Sequence, residues 1–144
     1  MSSILSDVHL AYHVLGRLVA KDLEEAAVSM SEALVLRVVS LNPRPTTRGL
    51  LVTTGLPAST LSSLLARLEE RLYVHRDSLE GDRRYAVVRP TRVGATVGRM
   101  VESSLRDIEE RLAEQVTSSQ RVGITALAEG LAVIERPEVP SPLD

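Results

Sequence analysis

The chain has 144 residues, with 44% hydrophobic and 25% charged side chains and no cysteine. This length predicts one globular domain, and the composition is that of a soluble folded protein rather than a disordered segment. The lack of cysteine excludes disulfides, thiolate metal sites and thiol-based oxidant sensing. No apolar run approaches the roughly 20 residues of a membrane span, and no signal-peptide pattern opens the chain, so we expect a cytoplasmic protein.

The net charge of -2 is unevenly distributed along the chain. Residues 1–43 contain three basic and five acidic side chains, residues 44–99 contain ten and five, and residues 100–144 contain four and nine. All ten cations of the middle segment are arginine, whose guanidinium group suits bidentate contacts with phosphate and guanine. The middle segment is therefore where we expect contact with a nucleic acid.

Two helices are predicted in the N-terminal part. The first covers residues 7–28 and has an apolar stripe at helical spacing. The stripe consists of Val8, Tyr12, Leu15, Leu18, Val19 and Leu23. Ser29 and Glu32 have the spacing of a capping box, which predicts that a second helix begins at Met30 or Ser31. Its expected core face consists of Leu34, Val35, Val38, Val39 and Leu41.

A proline-containing connector follows the second helix. Prolines in the segment 42–45 cannot continue a helix, because each lacks a backbone donor and restricts the residue before it. Thr46 or Thr47 can cap a short third helix that runs to about Thr54. Gly55 then provides the turn into the next helix.

The fourth predicted helix has two chemically different faces. Its apolar face consists of Leu61, Leu64, Leu65, Leu68 and Leu72, which recur at the spacing of one helix face. The opposite face presents Ser59, Ser63 and Ala66, flanked by Thr60, Ser62 and Arg67. Small hydroxyl side chains allow close approach and offer hydrogen bonds, which is what a helix in the DNA major groove needs. A merely solvated helix face is the alternative interpretation.

A hairpin is predicted after this helix. Segments 73–77 and 84–89 are rich in β-branched and aromatic residues, and the segment 79–83 between them supplies turn residues. A helix followed by a hairpin makes a winged helix. Pro90 then stops the second strand, and Thr91 can cap a long helix.

Two further helices are predicted in the C-terminal part. The long helix has an apolar stripe that continues for about seven turns. The stripe consists of Val93, Val97, Met100, Val101, Leu105, Ile108, Leu112 and Val116. Thr117 marks the next cap, a final helix ends near Arg136, and residues 137–144 form a loose tail. The terminal helices are apolar elements outside the winged helix, so we expect them to bury each other across a two-fold axis.

Several motifs in residues 55–94 resemble the MarR family of bacterial transcription regulators. They are Gly55-Leu56, Ser59-Thr60, Leu64, Arg67-Leu68-Glu69-Glu70-Arg71, Val74, Asp82-Arg83-Arg84 and Thr91 with Gly94. The resemblance implies a mainly α fold with a small β-hairpin wing, in which a winged helix-turn-helix core lies between N- and C-terminal dimerisation helices. The whole chain, 1–144, is then one MarR-like domain, with dimerisation helices at 7–28 and 91–136 and a DNA-binding region at 30–90.

The resemblance also implies a function. Proteins of this family are homodimers that bind double-stranded DNA, commonly as repressors, and many respond to phenolic or aromatic effectors. By resemblance, Arg83 and Arg84 enter the minor groove and Asp82 braces a neighbouring arginine; a surface ion pair is the alternative. Dimer symmetry predicts a palindromic operator with half-sites about 10 base pairs apart. A winged-helix protein-interaction module without DNA binding is the second interpretation.

The candidate site residues fall into three groups. The DNA-binding group comprises Ser59, Thr60, Ser62, Ser63, Arg67, Arg83 and Arg84, although nearby glutamates could instead hold Arg67 as structure. Further candidates for phosphate contacts are Arg44, Arg48 and Arg76, with Arg89 and Arg92 on weaker grounds. His9, Tyr12 and His13 are candidates for lining an effector cleft, with packing or surface roles as the alternative.

We predict no metal site, no cofactor and no enzymatic activity. His9 and His13 lie one helical turn apart, but no carboxylate or thiolate set completes a metal site. Nucleophile, phosphate-loop, dinucleotide and zinc-protease motifs are missing from the sequence. Three positions depart from the family pattern. Leu72 stands where glycine usually ends the recognition helix, Pro57 stands where a serine cap is common, and Ser63 stands where a larger polar or basic residue often sits. We expect Leu72 to give the helix-to-strand junction a different shape, because leucine resists the left-handed conformation.

Overall fold

The computed structural model describes residues 3–79 and 82–135, without the side chains of residues 78–79 and 82–85. In chain order the elements are α1 (Ile4–Asp22), a 3-10 turn (Glu24–Ala26), α2 (Met30–Leu41), α3 (Thr47–Thr54), α4 (Ala58–Glu70), β1 (Val74–Leu79), β2 (Asp82–Pro90), α5 (Arg92–Ala113) and α6 (Ser118–Glu135). The chain divides into two compact units, one ending at Asp107 and one beginning at Ile108. The predicted tail, 137–144, lies outside the described residues. The mainly helical winged-helix prediction is confirmed.

The end predicted for the first helix is wrong. Helix α1 ends at Asp22, and the 3-10 turn that follows closes on Ala27, whose φ of 48° is left-handed. A right-handed helix cannot continue through that conformation. The predicted capping box is confirmed, because the Ser29 amide donates to Glu32 Oε2 at 2.9 Å and the Glu32 amide donates to Ser29 Oγ at 3.2 Å. The chain therefore turns between Asp22 and Ser29 before α2 begins.

The core face predicted for α2 is only partly correct. Val35 and Val39 are buried as expected, but Leu41 is 57% exposed, whereas Ala33 and Leu36 are buried. Helix α2 packs against α1, α3, α4 and β2, so its buried arc follows several neighbours rather than one. Leu41 is the last residue of the helix, where this packing ends.

The connector before α3 is tied to the hairpin. Val88 in β2 donates its amide to the carbonyl of Pro45 at 2.8 Å, and Thr46 forms a bridge with Val87. Thr46 also caps α3, because its Oγ1 accepts a hydrogen bond from the Gly49 amide at 3.0 Å. The predicted cap is thus confirmed, and the connector fixes the start of α3 to the sheet.

The hairpin pairs β1 and β2 in antiparallel register from Val74 opposite Pro90 to Asp77 opposite Val87, with a shift before Leu79 pairs with Asp82. Four apolar residues of the hairpin are buried, namely Val74, Ala86, Val87 and Val88. These apolar residues hold the base of the hairpin against the helices. Both predicted strands are present, but β1 begins one residue later than expected, and Leu79, Asp82 and Arg83 of the predicted turn belong to the strands.

Leu72 does not belong to the leucine stripe of α4. It is 73% exposed, and its φ of 59° is left-handed. The Tyr73 amide donates to the Leu68 carbonyl at 2.8 Å and the Leu72 amide donates to the Glu69 carbonyl at 2.9 Å, which is a Schellman helix end. The expectation that Leu72 would change the shape of this junction is therefore wrong. The leucine adopts the conformation that a glycine would adopt.

Helix α5 begins tightly against the end of α4. The Thr91 hydroxyl accepts from the Gly94 amide at 3.0 Å and donates to the Leu72 carbonyl at 2.7 Å, so Thr91 is the cap that the sequence predicts. A Cβ atom on Gly94 would overlap the Tyr73 backbone, so only glycine permits this approach. Val97 and Val101 of the predicted stripe are buried, whereas Val93 and Met100 are exposed.

Polar contacts attach α5 to α1 and α2. Arg37 Nε donates to Glu102 Oε2 at 2.5 Å, and Ser104 Oγ donates to Asp22 Oδ2 at 2.5 Å. The hydrogen bond from Arg37 holds the pKa of the Glu102 carboxyl below its ordinary value of 4.5, although partial burial acts in the opposite direction. Glu102 therefore favours its charged form in the folded state.

The second unit contains the end of α5 and helix α6. The Thr117 hydroxyl accepts from the Gln120 amide at 3.3 Å while Gln120 Oε1 accepts from the Thr117 amide at 2.8 Å, which confirms the predicted cap. No residue of α6 is buried, and its exposed apolar residues are Val122, Ile124, Leu131, Val133 and Ile134. Within the described ranges, no single helix is long and apolar enough to cross a membrane; α3 and α4, bent by 117°, pass that test only as a pair.

We predict that Leu72→Gly stabilises the protein by about 1 kcal/mol. Glycine removes the Cβ strain of the left-handed conformation, and the exposed leucine side chain contributes little packing. Denaturant unfolding should show a higher midpoint with an unchanged slope. Leu72→Ala is the matched control and should stay near wild type, because alanine keeps the Cβ atom. If the glycine variant is no more stable than the alanine variant, the backbone of Leu72 is not strained.

A second prediction concerns acid stability. Because the pKa of Glu102 is lowered on folding, its contribution to stability is present above about pH 4.5 and is lost as the pH falls through the folded pKa. Wild type should therefore be more stable than Glu102→Gln at pH 7, and the difference should shrink towards pH 3. Unfolding curves at several pH values measure it, and Arg37→Gln should show the same trend. A difference that does not vary with pH would refute this account.

Candidate nucleic-acid interface

Helix α4 has the two-faced character that the sequence predicts. Leu61, Leu64, Leu65 and Leu68 are buried, which fixes the rotation of the helix about its axis. The opposite face is exposed along Ser59, Thr60, Ser62, Ser63, Ala66 and Arg67. The leucines therefore determine which side chains reach solvent, and those are the residues predicted to contact DNA.

The hydroxyl face of α4 begins at a helix end without a side-chain cap. Pro57 occupies the N-cap position and provides no acceptor for the first amides of the helix. Such amides, together with the helix dipole, favour a phosphate group. Within the face, Ser63 Oγ donates to the Ser59 carbonyl at 3.0 Å, which leaves the hydroxyl lone pairs able to accept a further bond.

Arg67 is ion-paired with the beginning of α2. Its Nε lies 3.3 Å from Glu32 Oε1; the Arg67 side chain is 58% exposed and that of Glu32 only 7%. Glu32 also lies 3.6 Å from Arg71 Nη1. Two arginines one turn apart on α4 thus neutralise one buried carboxylate. The paired glutamate lies on α2, 35 residues from Arg67 in the sequence, rather than among the glutamates next to it, and Arg67 is still largely in solvent.

Arg71 anchors the end of α4 to the turn that follows α1. Its Nη2 donates to the Ala26 carbonyl at 2.7 Å and its Nη1 to the Ala27 carbonyl at 3.2 Å. The guanidinium carbon lies 4.8 Å from the centre of the Tyr73 ring, and Tyr73 Oη donates to Ala26 O at 3.1 Å. The sequence pattern predicts capping as the role of Glu32 and predicts no contact for Arg71. The four-residue spacing of Arg67 and Arg71 was the available signal.

The other candidate phosphate contacts differ in their surroundings. Arg44 and Arg48 are exposed beside the start of α3. Arg76 is paired with Glu69 through Nε at 2.9 Å and through Nη2, and Arg89 Nε lies 2.7 Å from Asp77 Oδ2. Arg92 is exposed at the first position of α5. The structure therefore leaves Arg44, Arg48 and Arg92 more accessible to a phosphate than Arg76.

The structure describes only the backbone at the predicted tip of the wing. Asp82, Arg83 and Arg84 have their backbone in β2, but their side chains are outside the described part of the chain. Their assigned roles stay predictions. They follow from the resemblance and from the position of the hairpin after α4.

His9, Tyr12 and His13 form a ring cluster on the exposed surface of α1. The two imidazole centres are 4.4 Å apart, and Tyr12 lies 5.5 Å from His13, both in edge-on geometry. Their role in an effector cleft stays a prediction. Among residues 3–79 and 82–135, no group of three or more His, Asp or Glu side chains could hold a metal ion.

Sequence comparison finds a family match in the central segment. The MarR family model matches residues 28–84, which run from the end of the turn before α2 into β2. None of the curated proteins matches the chain in sequence. The family match therefore includes the helix-turn-helix and most of the wing.

Solved structures extend the likeness to nearly the whole chain. The S. aureus MepR–DNA complex has a TM-score of 0.79 at 17% identity and covers 92% of this chain and 99% of MepR. B. bronchiseptica BpsR, whose DNA binding is regulated by 6-hydroxynicotinic acid, has a TM-score of 0.72 at 15% identity and covers 91% of this chain and 94% of BpsR. Apo MarR from E. coli has a TM-score of 0.63 at 18% identity and covers 91% of this chain and 98% of MarR. Residues 28–84 thus match the MarR family model, and the chain has the winged-helix fold of these solved structures.

Proposed function

We propose that the protein is a homodimeric transcriptional regulator, a repressor rather than an enzyme, that binds palindromic double-stranded DNA. The observation that supports this most directly is the exposed hydroxyl face of α4, formed by Ser59, Thr60, Ser62 and Ser63. Four buried leucines hold this face outward. A narrow face of small donors and acceptors can enter the major groove without steric conflict.

The electrostatics of the same region support contact with the DNA backbone. Residues 44–99 carry ten arginines against five acidic residues. In this proposal Arg44 and Arg48 contact phosphates beside α3, and the uncapped amides at the start of α4 contact another. Arg83 and Arg84 enter the minor groove from the wing, where a narrow groove concentrates negative potential. Affinity then comes mainly from arginines outside the recognition helix.

The dimer is inferred from the unburied apolar residues of the terminal helices. Helix α1 exposes Ile4, Leu5, Leu10 and Tyr12, and α6 exposes five aliphatic residues with none buried. Such surfaces gain stability when a second copy covers them. A two-fold axis would then present two recognition helices to successive major grooves, about one DNA turn apart.

Control by a small molecule is a further part of the proposal. BpsR is regulated by 6-hydroxynicotinic acid, which shows that one protein of this fold responds to a small aromatic acid. In the present chain His9, Tyr12 and His13 are the aromatic candidates for such a cleft. An effector would act by binding one spacing of the two recognition helices more tightly than another.

We predict that Ser63→Glu weakens DNA binding by at least about tenfold, because it places bulk and negative charge on the face that would enter the groove. Binding fragments should first be selected from genomic DNA by wild-type protein. Mobility shifts at fixed salt then measure both proteins on those fragments.

Ser103→Glu is the matched control, since Ser103 is exposed on α5 and the chemical change is the same. It should retain wild-type affinity. Equal DNA affinity of Ser63→Glu and wild type would show that this face of α4 does not contact DNA. Wild-type protein that selects no fragment would contradict the proposed function and favour a protein-interaction module.

We also predict that Leu10→Glu shifts the protein from dimer to monomer. The substitution places a charge in the apolar surface of α1, where it would be buried by a second copy. Sedimentation equilibrium over a range of concentrations measures the mass. Val52→Glu on α3 is the control, because Val52 is also exposed but lies outside the terminal helices. A monomeric wild type, or a Leu10→Glu dimer of unchanged affinity, would argue against this interface.

A further inference from the structure

Arg67 is the one long cation on the outward face of α4, and this exposed side chain is paired with a nearly buried carboxylate. The contact with Glu32 uses Nε, at 3.3 Å. Nε is thus the Arg67 nitrogen that faces the Glu32 carboxylate. A guanidinium group held through Nε keeps its two terminal nitrogens available for a bidentate partner.

Glu32 is itself fixed by contacts that do not involve Arg67. Its Oε2 accepts from the Ser29 amide at 2.9 Å, which anchors the carboxylate to the first turn of α2. Arg71 lies on its other side at 3.6 Å and is held by two backbone carbonyls. The carboxylate is thus a nearly buried acceptor held by several contacts, whereas Arg67 is the exposed partner of the pair.

We propose that Glu32 is a positioning residue for DNA recognition: it holds the Arg67 guanidinium so that its terminal nitrogens face a guanine. This inference rests on the proposed function. Restraining a long side chain before binding lowers the conformational entropy lost on binding, so the contact becomes tighter and more selective. Guanine, with its O6 and N7 acceptors, is the base that such a fork recognises.

The sign of the charge makes the proposal testable. Glu32 is an anion close to the candidate interface, so electrostatics alone predict that its removal strengthens binding to all DNA. If Glu32 positions Arg67, its removal should instead weaken binding to the selected sites and should not weaken binding to random DNA. The ratio of specific to non-specific affinity therefore separates the two effects.

The experiment uses Glu32→Gln in the full-length protein. Glutamine can still accept the Ser29 amide and complete the capping box, but its single carbonyl oxygen cannot also pair with Arg67. Wild type first selects its sites from a randomised duplex library, and the position that loses guanine preference in Arg67→Ala is identified. At that position we expect Glu32→Gln to reduce the guanine preference by about three- to tenfold.

The double variant decides whether Glu32 acts through Arg67. Glu32→Gln added to Arg67→Ala should cause no further loss of guanine preference. Glu102→Gln is the matched control, because it removes the same charge from the ion pair between Arg37 on α2 and Glu102 on α5. It should leave the guanine preference unchanged. Glu32→Asp is a second variant, with charge retained and reach shortened, should Glu32→Gln prove poorly folded by circular dichroism.

Several results would overturn the inference. These are an unchanged preference in Glu32→Gln and Glu32→Asp, a sharper preference in either, and an equal loss of binding with and without Arg67. The first would remove any role for Glu32 in specificity. The second would show that Glu32 draws Arg67 away from DNA, and the third that Glu32 acts only on folding. Failure of the proposed function is distinguished by the wild type, because a protein that selects no DNA overturns both.

Discussion

Burial of the leucine face of α4 is the constraint on which the candidate interface depends. Leu61, Leu64, Leu65 and Leu68 occupy one side of the helix and are almost fully enclosed. At helical spacing, this enclosure determines the direction of each remaining side chain. The exposed face is therefore a consequence of core packing. A change in core volume beneath α4 would rotate or shift the face without altering any residue on it.

Ion pairing divides the arginines of the middle segment into two groups. Arg76 and Arg89 pair with acidic neighbours on the hairpin and its surroundings, and Arg71 is held by backbone carbonyls. Arg44, Arg48 and Arg92 lie in solvent, and Arg67 combines an ion pair with high exposure. The segment's positive charge is thus partly structural. A count of arginines alone overstates how many are available to phosphate.

Local chemistry explains which parts of the fold the sequence predicts. The capping box at Ser29, the Thr46 and Thr91 caps and the leucine face of α4 depend on residues within a few positions of each other, and all are present. Leu41 and Leu72 were placed in the core by spacing, but both lie at helix ends where neighbours are missing. Contacts between Arg71 and the turn at Ala26 join residues 45 positions apart, which periodicity cannot show. For the same reason the ion pair between Glu32 and Arg67 became visible only in three dimensions.

The anchorage of Arg71 has a mechanical consequence. The Arg71 guanidinium bonds to the carbonyls of Ala26 and Ala27 and contacts the Tyr73 ring, whose hydroxyl also bonds to Ala26. These contacts attach the turn after α1 to the end of α4. Ala27 at the end of this turn lies in a left-handed conformation. A displacement of α1 that pulls on this turn would therefore also move the end of α4.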